Sequence, residues 1–306
     1  MALWPQCAIA ASGRPRIAVL GLVVVLCGSR APGPPWLGVS ATFRQRGGAT
    51  VKELAVTRYV RYTHEGSVSC GVLEAETIRE LQGDILEGPG ETIGEVAASE
   101  VRLLAPVVPS KVIAVGLNYR SHLKGRPEPE YPGLFAVLPS AVVGPEDAIV
   151  IPPDARDVHY EGELVVVIGK RAKNVPISDA SDYIFGVTAG NDVSERNWQR
   201  SDLQWVRAKA SDSFAPIGPA IATHLDYNDL LVETRLNGEL RQSERTKDLI
   251  FDIETIVAYI SQYVTLLPGD LIFTGTPGTT ESMKAGDVVE VEVEGVGVLR
   301  NTVVDS

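Results

Sequence analysis

Apolar positions change their spacing along the chain, and each change marks a different kind of element. From Thr57 to Glu74 (TRYVRYTHEGSVSCGVLE) apolar and polar residues alternate on either side of His64-Glu65-Gly66, the pattern of two strands joined by a tight turn. The charged residues that follow, before Leu104, are expected to form a helical stretch. From Ala105 short apolar runs are parted by Gly, Pro and Asp (KVIAVGLNY, AIVIPP, ELVVVIGK, IFGVTAGNDV), which predicts a strand-rich body with few helices. Asn237-Gly238 between two alternating segments predicts a hairpin. Asp252 is placed to cap a helix that shows Ile253, Ile256, Val257 and Ile260 on one face, with Pro268-Gly269-Asp270 as the stop before LIFTG. Near the end, Val289, Val291 and Val293 alternate with Glu290, Glu292 and Glu294, which is a strand with one wet face.

That last strand is the control for a second set of carboxylates. In HYEGELVVVIGK, Glu161 and Glu163 are two residues apart, so in a strand they leave the same face. A solvated face is the plain reading. Glu163, however, runs straight into Leu164, Val165, Val166, Val167 and Ile168, and such an unbroken apolar run implies burial on both faces. Two like charges at the mouth of a buried strand are costly unless a cation neutralises them. Asp192, at the end of IFGVTAGN, offers a third carboxylate. Without a nearby His or Cys pair, this donor set suits a hard ion such as Mg²⁺ or Mn²⁺ rather than zinc.

Composition narrows the function further. The chain has 306 residues, 44% hydrophobic and 22% charged, which suits a globular protein and excludes disorder. Its net charge of -11 includes five arginines and no Asp, Glu or Lys in the first fifty residues, so residues 51–306 carry -16. A body that acidic repels phosphate backbones and anionic lipid, and neither nucleic acid nor membrane is expected as a partner. Cys7, Cys27 and Cys70 are odd in number and scattered, which fits neither a disulfide framework nor a zinc site and favours the cytoplasm. The apolar run Ile17–Cys27 behind Arg14 and Arg16 is too short to span a bilayer. Residues 1–51 are read as a disordered or non-native extension, with a signal or organellar transit segment as the alternative, and the fold is expected to start near Val56.

Six ordered segments carry a resemblance: GLNYRSH (116–122), YEGELVVVIGK, GNDVSERNWQ (190–199), AKASDSFAPIGP (208–219), LNGELRQ and LLPGDLIFTGTPG. Together they closely resemble the fumarylacetoacetate hydrolase family over roughly residues 56–304. The resemblance implies an α+β, strand-rich fold: a small amino-terminal α+β domain at 56–104, then a mixed β-roll at 105–306, usually in homodimers. It implies Glu161, Glu163 and Asp192 as the ligands of Mg²⁺ or Mn²⁺. It assigns catalysis to His122, as the base that activates water, and to Lys209 at the substrate's oxyanion or carboxylate. Tyr119, Gln199 and Thr276 are implied at the substrate, and Arg196, in the pattern Asp-x-x-x-Arg, as a support of the metal loop.

Two departures stand out. Gly125 occupies the place where many members carry Glu three residues after the histidine, leaving Glu128 or Glu130 of the loop Lys124–Pro132 as substitutes. Val137 stands where many carry Lys. The implied substrate is a 2-oxo or β-diketo acid. Acylpyruvate-type C–C hydrolysis is the leading reading, with oxaloacetate-type decarboxylation and 2-hydroxyhepta-2,4-diene-1,7-dioate isomerisation as alternatives on the same metal core. A non-catalytic metal-binding or scaffold relative is the reading of a different class, motivated by Gly125 and Val137.

Overall fold

The run Leu164–Ile168 is buried on both faces because it is a middle strand of a large sheet. A computed structural model of the chain describes residues 55–88 and 90–306, and the reading of residues 1–51 lies outside them. Gly162–Ile168 pairs on one side with Ile184–Asn191 and on the other with Leu271–Phe273. Leu164, Val166 and Ile168 feed one core cluster, and Val165 and Val167 feed another on the opposite face. The sheet has twelve strands; outward from Ile184–Asn191 it continues through Ala215–Thr223 and Thr57–His64, and outward from Leu271–Phe273 through Val112–Gly116 to Gly133–Val137. Most neighbours are antiparallel, but Leu271–Phe273 runs parallel to Val112–Gly116, so the sheet is mixed.

A five-stranded sheet lies against this one, built from Glu239–Arg245, Leu231–Leu236, Val288–Val293, Gly297–Asp305 and Ala148–Ile151. Its Val289, Val291 and Val293 are buried while the intervening glutamates are not, as the alternation predicts. Asn237 and Gly238 both have positive φ (55° and 81°) and join two of its strands by the expected tight turn. Glu65 and Gly66 do the same between Thr57–His64 and Ser67–Glu74. The Asp252 carboxylate accepts from Thr255 N at 2.8 Å and starts the helix Ile253–Tyr263, which buries Ile253, Ile256, Val257 and Ile260.

One element differs from expectation. The charged stretch after Glu74 is not helical: Thr77–Leu81 and Thr92–Ala97 are strands, separated by a short 3-10 turn at Ile85–Glu87. Ile78 and Leu81 bury against the sheet while Arg79 and Glu80 are only half-buried, and Gly83, Gly88 and Gly90 leave no run long enough for a helix. These strands join the large sheet through Tyr59, Arg58 and Thr57, which pair with Ile221, Ala222 and Thr223. Among the described residues no helix is long and apolar enough to cross a membrane.

The two sheets meet closely at Gly162. A Cβ there would lie 1.9 Å from Thr234 Oγ1 of the second sheet. Gly162→Ala is therefore expected to destabilise the chain by about 1–3 kcal/mol through overpacking, read as a lower urea midpoint with unchanged slope.

Candidate active site

Strand register brings together three carboxylates that are thirty residues apart in sequence. Gly162 pairs with Asn191 and Glu163 with Gly190, and the next step of the same ladder, Asp192 N donating to Glu161 O at 2.9 Å, sets Asp192 opposite Glu161. Asn191 Oδ1 accepts from Glu161 N at 2.9 Å and holds that corner. The carboxylate oxygens of Glu161, Glu163 and Asp192 come within 4.8 Å of one another, and all three residues are buried.

Two cations partly compensate them. Lys209, itself 2% exposed, donates to Glu161 Oε2 at 2.5 Å and to Asp192 Oδ2 at 2.6 Å. Its ammonium also lies 5.2 Å from the centre of the Phe135 ring. Arg196 donates to Glu161 Oε1 at 2.5 Å, and its guanidinium is steadied by Gln199 Oε1 and Thr280 Oγ1, both at 2.8 Å. Burial opposes ionisation of Glu161, but Lys209, Arg196 and His122 overcome it and hold the carboxyl well below its usual range. Asp192 is pushed up to about 6, by burial first and in spite of Lys209. Burial, then Asp192 and Glu161, push Glu163 well up, against the opposing pull of Lys209 and of the bond from Gly275 N at 2.7 Å.

This imbalance is the structural test of the implied cation. Three buried carboxylates face two cations, and Glu163 has no cationic partner among the described residues. An all-carboxylate donor set with one uncompensated charge fits a hard divalent ion, and Glu161, Glu163 and Asp192 are the residues that would hold it.

His122 stands beside the cluster, with Nε2 3.8 Å from Glu161 Oε1. Its Nδ1 lies 2.7 Å from the carbonyl oxygen of Gly278. A carbonyl only accepts, so Nδ1 carries the proton and a neutral imidazole has its lone pair on Nε2, toward the carboxylates. Burial lowers the His122 pKa, with Glu161 and Gly278 opposing the shift in part. Gly278 N in turn donates to Ser121 Oγ at 2.9 Å, so the loop after TGTPG and the GLNYRSH segment are clipped together.

The cluster floors a cavity of about 390 Å³ that is also bordered by His122, Gln199 and Thr276. The helix Arg196–Ser201 supplies Arg196, Gln199 and Arg200, which share a face at spacings of three and four. Thr276 is at the wall, but its hydroxyl already donates to Gly162 O and accepts from Gln242. Tyr119, implied at the substrate, is not brought to the cavity: it is 1% exposed and packs in the main core cluster, one position past Asn118. Val137 is buried in the second cluster. Glu128 pairs with Arg120 at 2.7 Å on the surface instead of facing His122. Gly125 has φ +82°, a conformation that a Glu would adopt only with strain.

Some supports had no assignment in the sequence. Asn118 is fully buried, donates to Phe251 O and Thr274 O, and accepts from Phe251 N, which ties the GLNYRSH segment to LIFTG. Gln242 accepts from Gly162 N and donates to Pro277 O at 2.5 Å. Each lies in a quoted motif, yet nothing in residue type or spacing separates them from surface amides. Asn118→Ala is expected to cost about 2–4 kcal/mol in thermal or urea unfolding, since it leaves three backbone groups unpaired in a buried setting.

Comparison with known proteins agrees with this geometry. The family described as fumarylacetoacetate (FAA) hydrolase C-terminal matches residues 111–304, and Rv2993c-like, N-terminal matches residues 57–106. The oxaloacetate tautomerase FAHD2B, mitochondrial, of Bos taurus is 44% identical over 221 residues, covering 67% of this chain and 70% of that protein. A 5-carboxymethyl-2-hydroxymuconate delta-isomerase from Mycobacterium smegmatis superposes with a TM-score of 0.78 at 43% identity, covering 81% of this chain and 100% of the other. A maleylpyruvate hydrolase from Sphingobium sp. SYK-6, in complex with manganese(II) ion and pyruvate, gives 0.69 at 29% identity, covering 81% and 99%. With the match spanning well over half its length, the chain belongs to the fumarylacetoacetate hydrolase family.

Proposed function

We propose that the chain is a divalent-ion-dependent tautomerase or isomerase of 2-oxo acids, with Mg²⁺ or Mn²⁺ held by Glu161, Glu163 and Asp192. The observation that carries this reading is the placement of His122: its Nδ1 is engaged by the Gly278 carbonyl, its Nε2 faces the cluster 3.8 Å from Glu161 Oε1, and Gly125 offers no side chain at the third position after it. Such a group takes a proton from carbon next to a carbonyl and returns it elsewhere on the same framework. Hydrolysis needs, in addition, a water held for attack, and Glu128 is engaged elsewhere. Lys209, bonded to Glu161 and Asp192 in the cluster and bordering the cavity, supports this reading, since an ammonium there would stabilise the negative charge that develops on oxygen as the proton leaves. What a bound divalent ion supplies is Lewis-acid polarisation of the 2-oxo group and a template for its oxygens.

The reading moves the balance from hydrolysis, which the sequence put first, to proton transfer. Names of relatives support the same direction, since a tautomerase and an isomerase are among them. Small 2-oxo acids remain the substrate class, and a homodimer remains the proposed assembly. The test compares Mg²⁺-loaded and metal-free protein on oxaloacetate and on an acylpyruvate. Ion-dependent loss of the enol absorbance of oxaloacetate, well ahead of any acylpyruvate cleavage, is expected. Cleavage faster than enol–keto conversion would place hydrolysis first again.

A further inference from the structure

One cation of the cluster is itself held from behind. Arg196 Nη2 carries two protons, and both are spent: one goes to Glu161 Oε1 at 2.5 Å and the other to Thr280 Oγ1 at 2.8 Å. The Thr280 oxygen also meets His159 Nδ1 at 2.9 Å, and His159 Nε2 lies 2.8 Å from Asp157 Oδ1. A carboxylate only accepts, so His159 donates through Nε2. Arg196 only donates, which leaves the single proton of Thr280 for His159 Nδ1. The result is a run in one direction, from Arg196 through Thr280 and His159 to Asp157, in which each bond has one donor and one acceptor.

Backbone pairing fixes the run. Val158 and His159 pair with Glu195 and Ser194, and Arg196 N donates to Asp157 O at 2.9 Å. His159 also bridges to Ser282, and Met283 N donates to Val158 O at 2.7 Å, so the Thr280 segment is tied to the same strand. Glu195, fully buried, accepts from Asp157 N at 2.9 Å and from Trp198 N at 2.6 Å, which joins Asp157 to the helix that carries Arg196. Thr280 is 8% exposed, and water is a poor substitute for its hydroxyl there. Asp157, His159 and Thr280 do not border the cavity, so their effect on the site passes through Arg196.

We propose that Thr280 and His159 are positioning residues for the divalent-ion site: they hold Arg196 on Glu161 Oε1 while Lys209 holds Oε2, and so fix the plane of that carboxylate. Without the Thr280 hydroxyl, Arg196 Nη2 keeps one partner and can turn about it, and Glu161 turns with it. Groups that bond a ligating carboxylate from outside set the affinity for the metal. The inference rests on the reading above that Glu161 holds the ion, and not on which 2-oxo acid is transformed.

Calorimetric titration of the full-length, metal-free protein with Mn²⁺ tests it. Thr280→Val keeps the outline of the side chain and removes the hydroxyl, and Mn²⁺ affinity should fall about tenfold. Thr280→Ser, which keeps the hydroxyl, should stay close to the unaltered chain. His159→Leu should show a smaller loss, because Thr280 remains. In an Arg196→Met background Thr280→Val should change nothing further, since the group it positions is gone. Unchanged affinity in Thr280→Val, or an equal loss in both backgrounds, overturns the proposal. Thermal unfolding in EDTA repeats the comparison without the ion: the losses of Thr280→Val and Arg196→Met should be less than additive, and additive losses count against it. If the unaltered chain takes up no Mn²⁺, the ion reading fails while the unfolding data still decide whether Thr280 holds Arg196, so the two failures are distinguishable.

Discussion

Glu161→Gln and Glu163→Gln are expected to abolish divalent-ion binding alike, and to move the stability of the metal-free chain in opposite directions. Both remove a hard anionic ligand, so calorimetry with Mn²⁺ should show no saturable heat, and turnover should fall by on the order of 10³. The stabilities diverge because the two carboxylates have different partners. Glu161 neutralises Lys209 and Arg196, both with little exposure, and its loss leaves those cations short of an acceptor. In EDTA, Glu161→Gln should cost about 3–5 kcal/mol. Glu163 makes no ion pair among the described residues, and Gln at that place still accepts from Gly275 N. Its metal-free stability should stay level or rise. If both variants are destabilised equally in EDTA, the charge imbalance described here is wrong. If both keep Mn²⁺ affinity, the ion site is wrong.

Replacing His122 with Gln should lower turnover by about 10²–10⁴-fold while Mn²⁺ binding is kept, because the imidazole is a proton carrier and not one of the three carboxylates. The sign of the pH dependence follows from its burial. The His122 pKa lies below the ordinary value near 6.5, and a cation bound next to it shifts it the same way. The neutral, base-competent form therefore persists down into mildly acidic solution. Turnover should be flat from neutrality to about pH 6.5 and fall only as the pH drops through the depressed pKa. A decline that begins above pH 7 would show that His122 is charged in the working enzyme and is not the base. Intact turnover in His122→Gln would remove it from the mechanism altogether.

How much of this was legible in the sequence depended on whether the deciding physics was local. The buried strand was legible because Leu164–Ile168 has no polar position to spare for solvent. The turns at Glu65-Gly66 and Asn237-Gly238, the Asp252 cap and the alternating Val289–Glu294 segment were legible for the same reason: each is set by the backbone preferences or the pattern of a few adjacent residues. Residues 77–97 were not, because charge density there resembles a helix surface, and only pairing with Ser67–Glu74 makes them strands.

The site divides along the same line. Sequence by itself marked Glu161 and Glu163 as carboxylates in the wrong place for a wet face, and the ordered motifs named the family and the residues to inspect. It could not say that Asp192 meets them, since that follows from the register of two strands paired across the large sheet. Nor could it tell that Tyr119 turns into the core, that Glu128 is held by Arg120, or that Gly125 serves a turn and not merely the loss of a carboxylate. Those outcomes depend on which groups compete for the same partner once distant segments are packed together. Local spacing fixes which side chains share a strand face; only tertiary contact decides which buried charge is neutralised, which is left over, and therefore where a cation and a proton are needed.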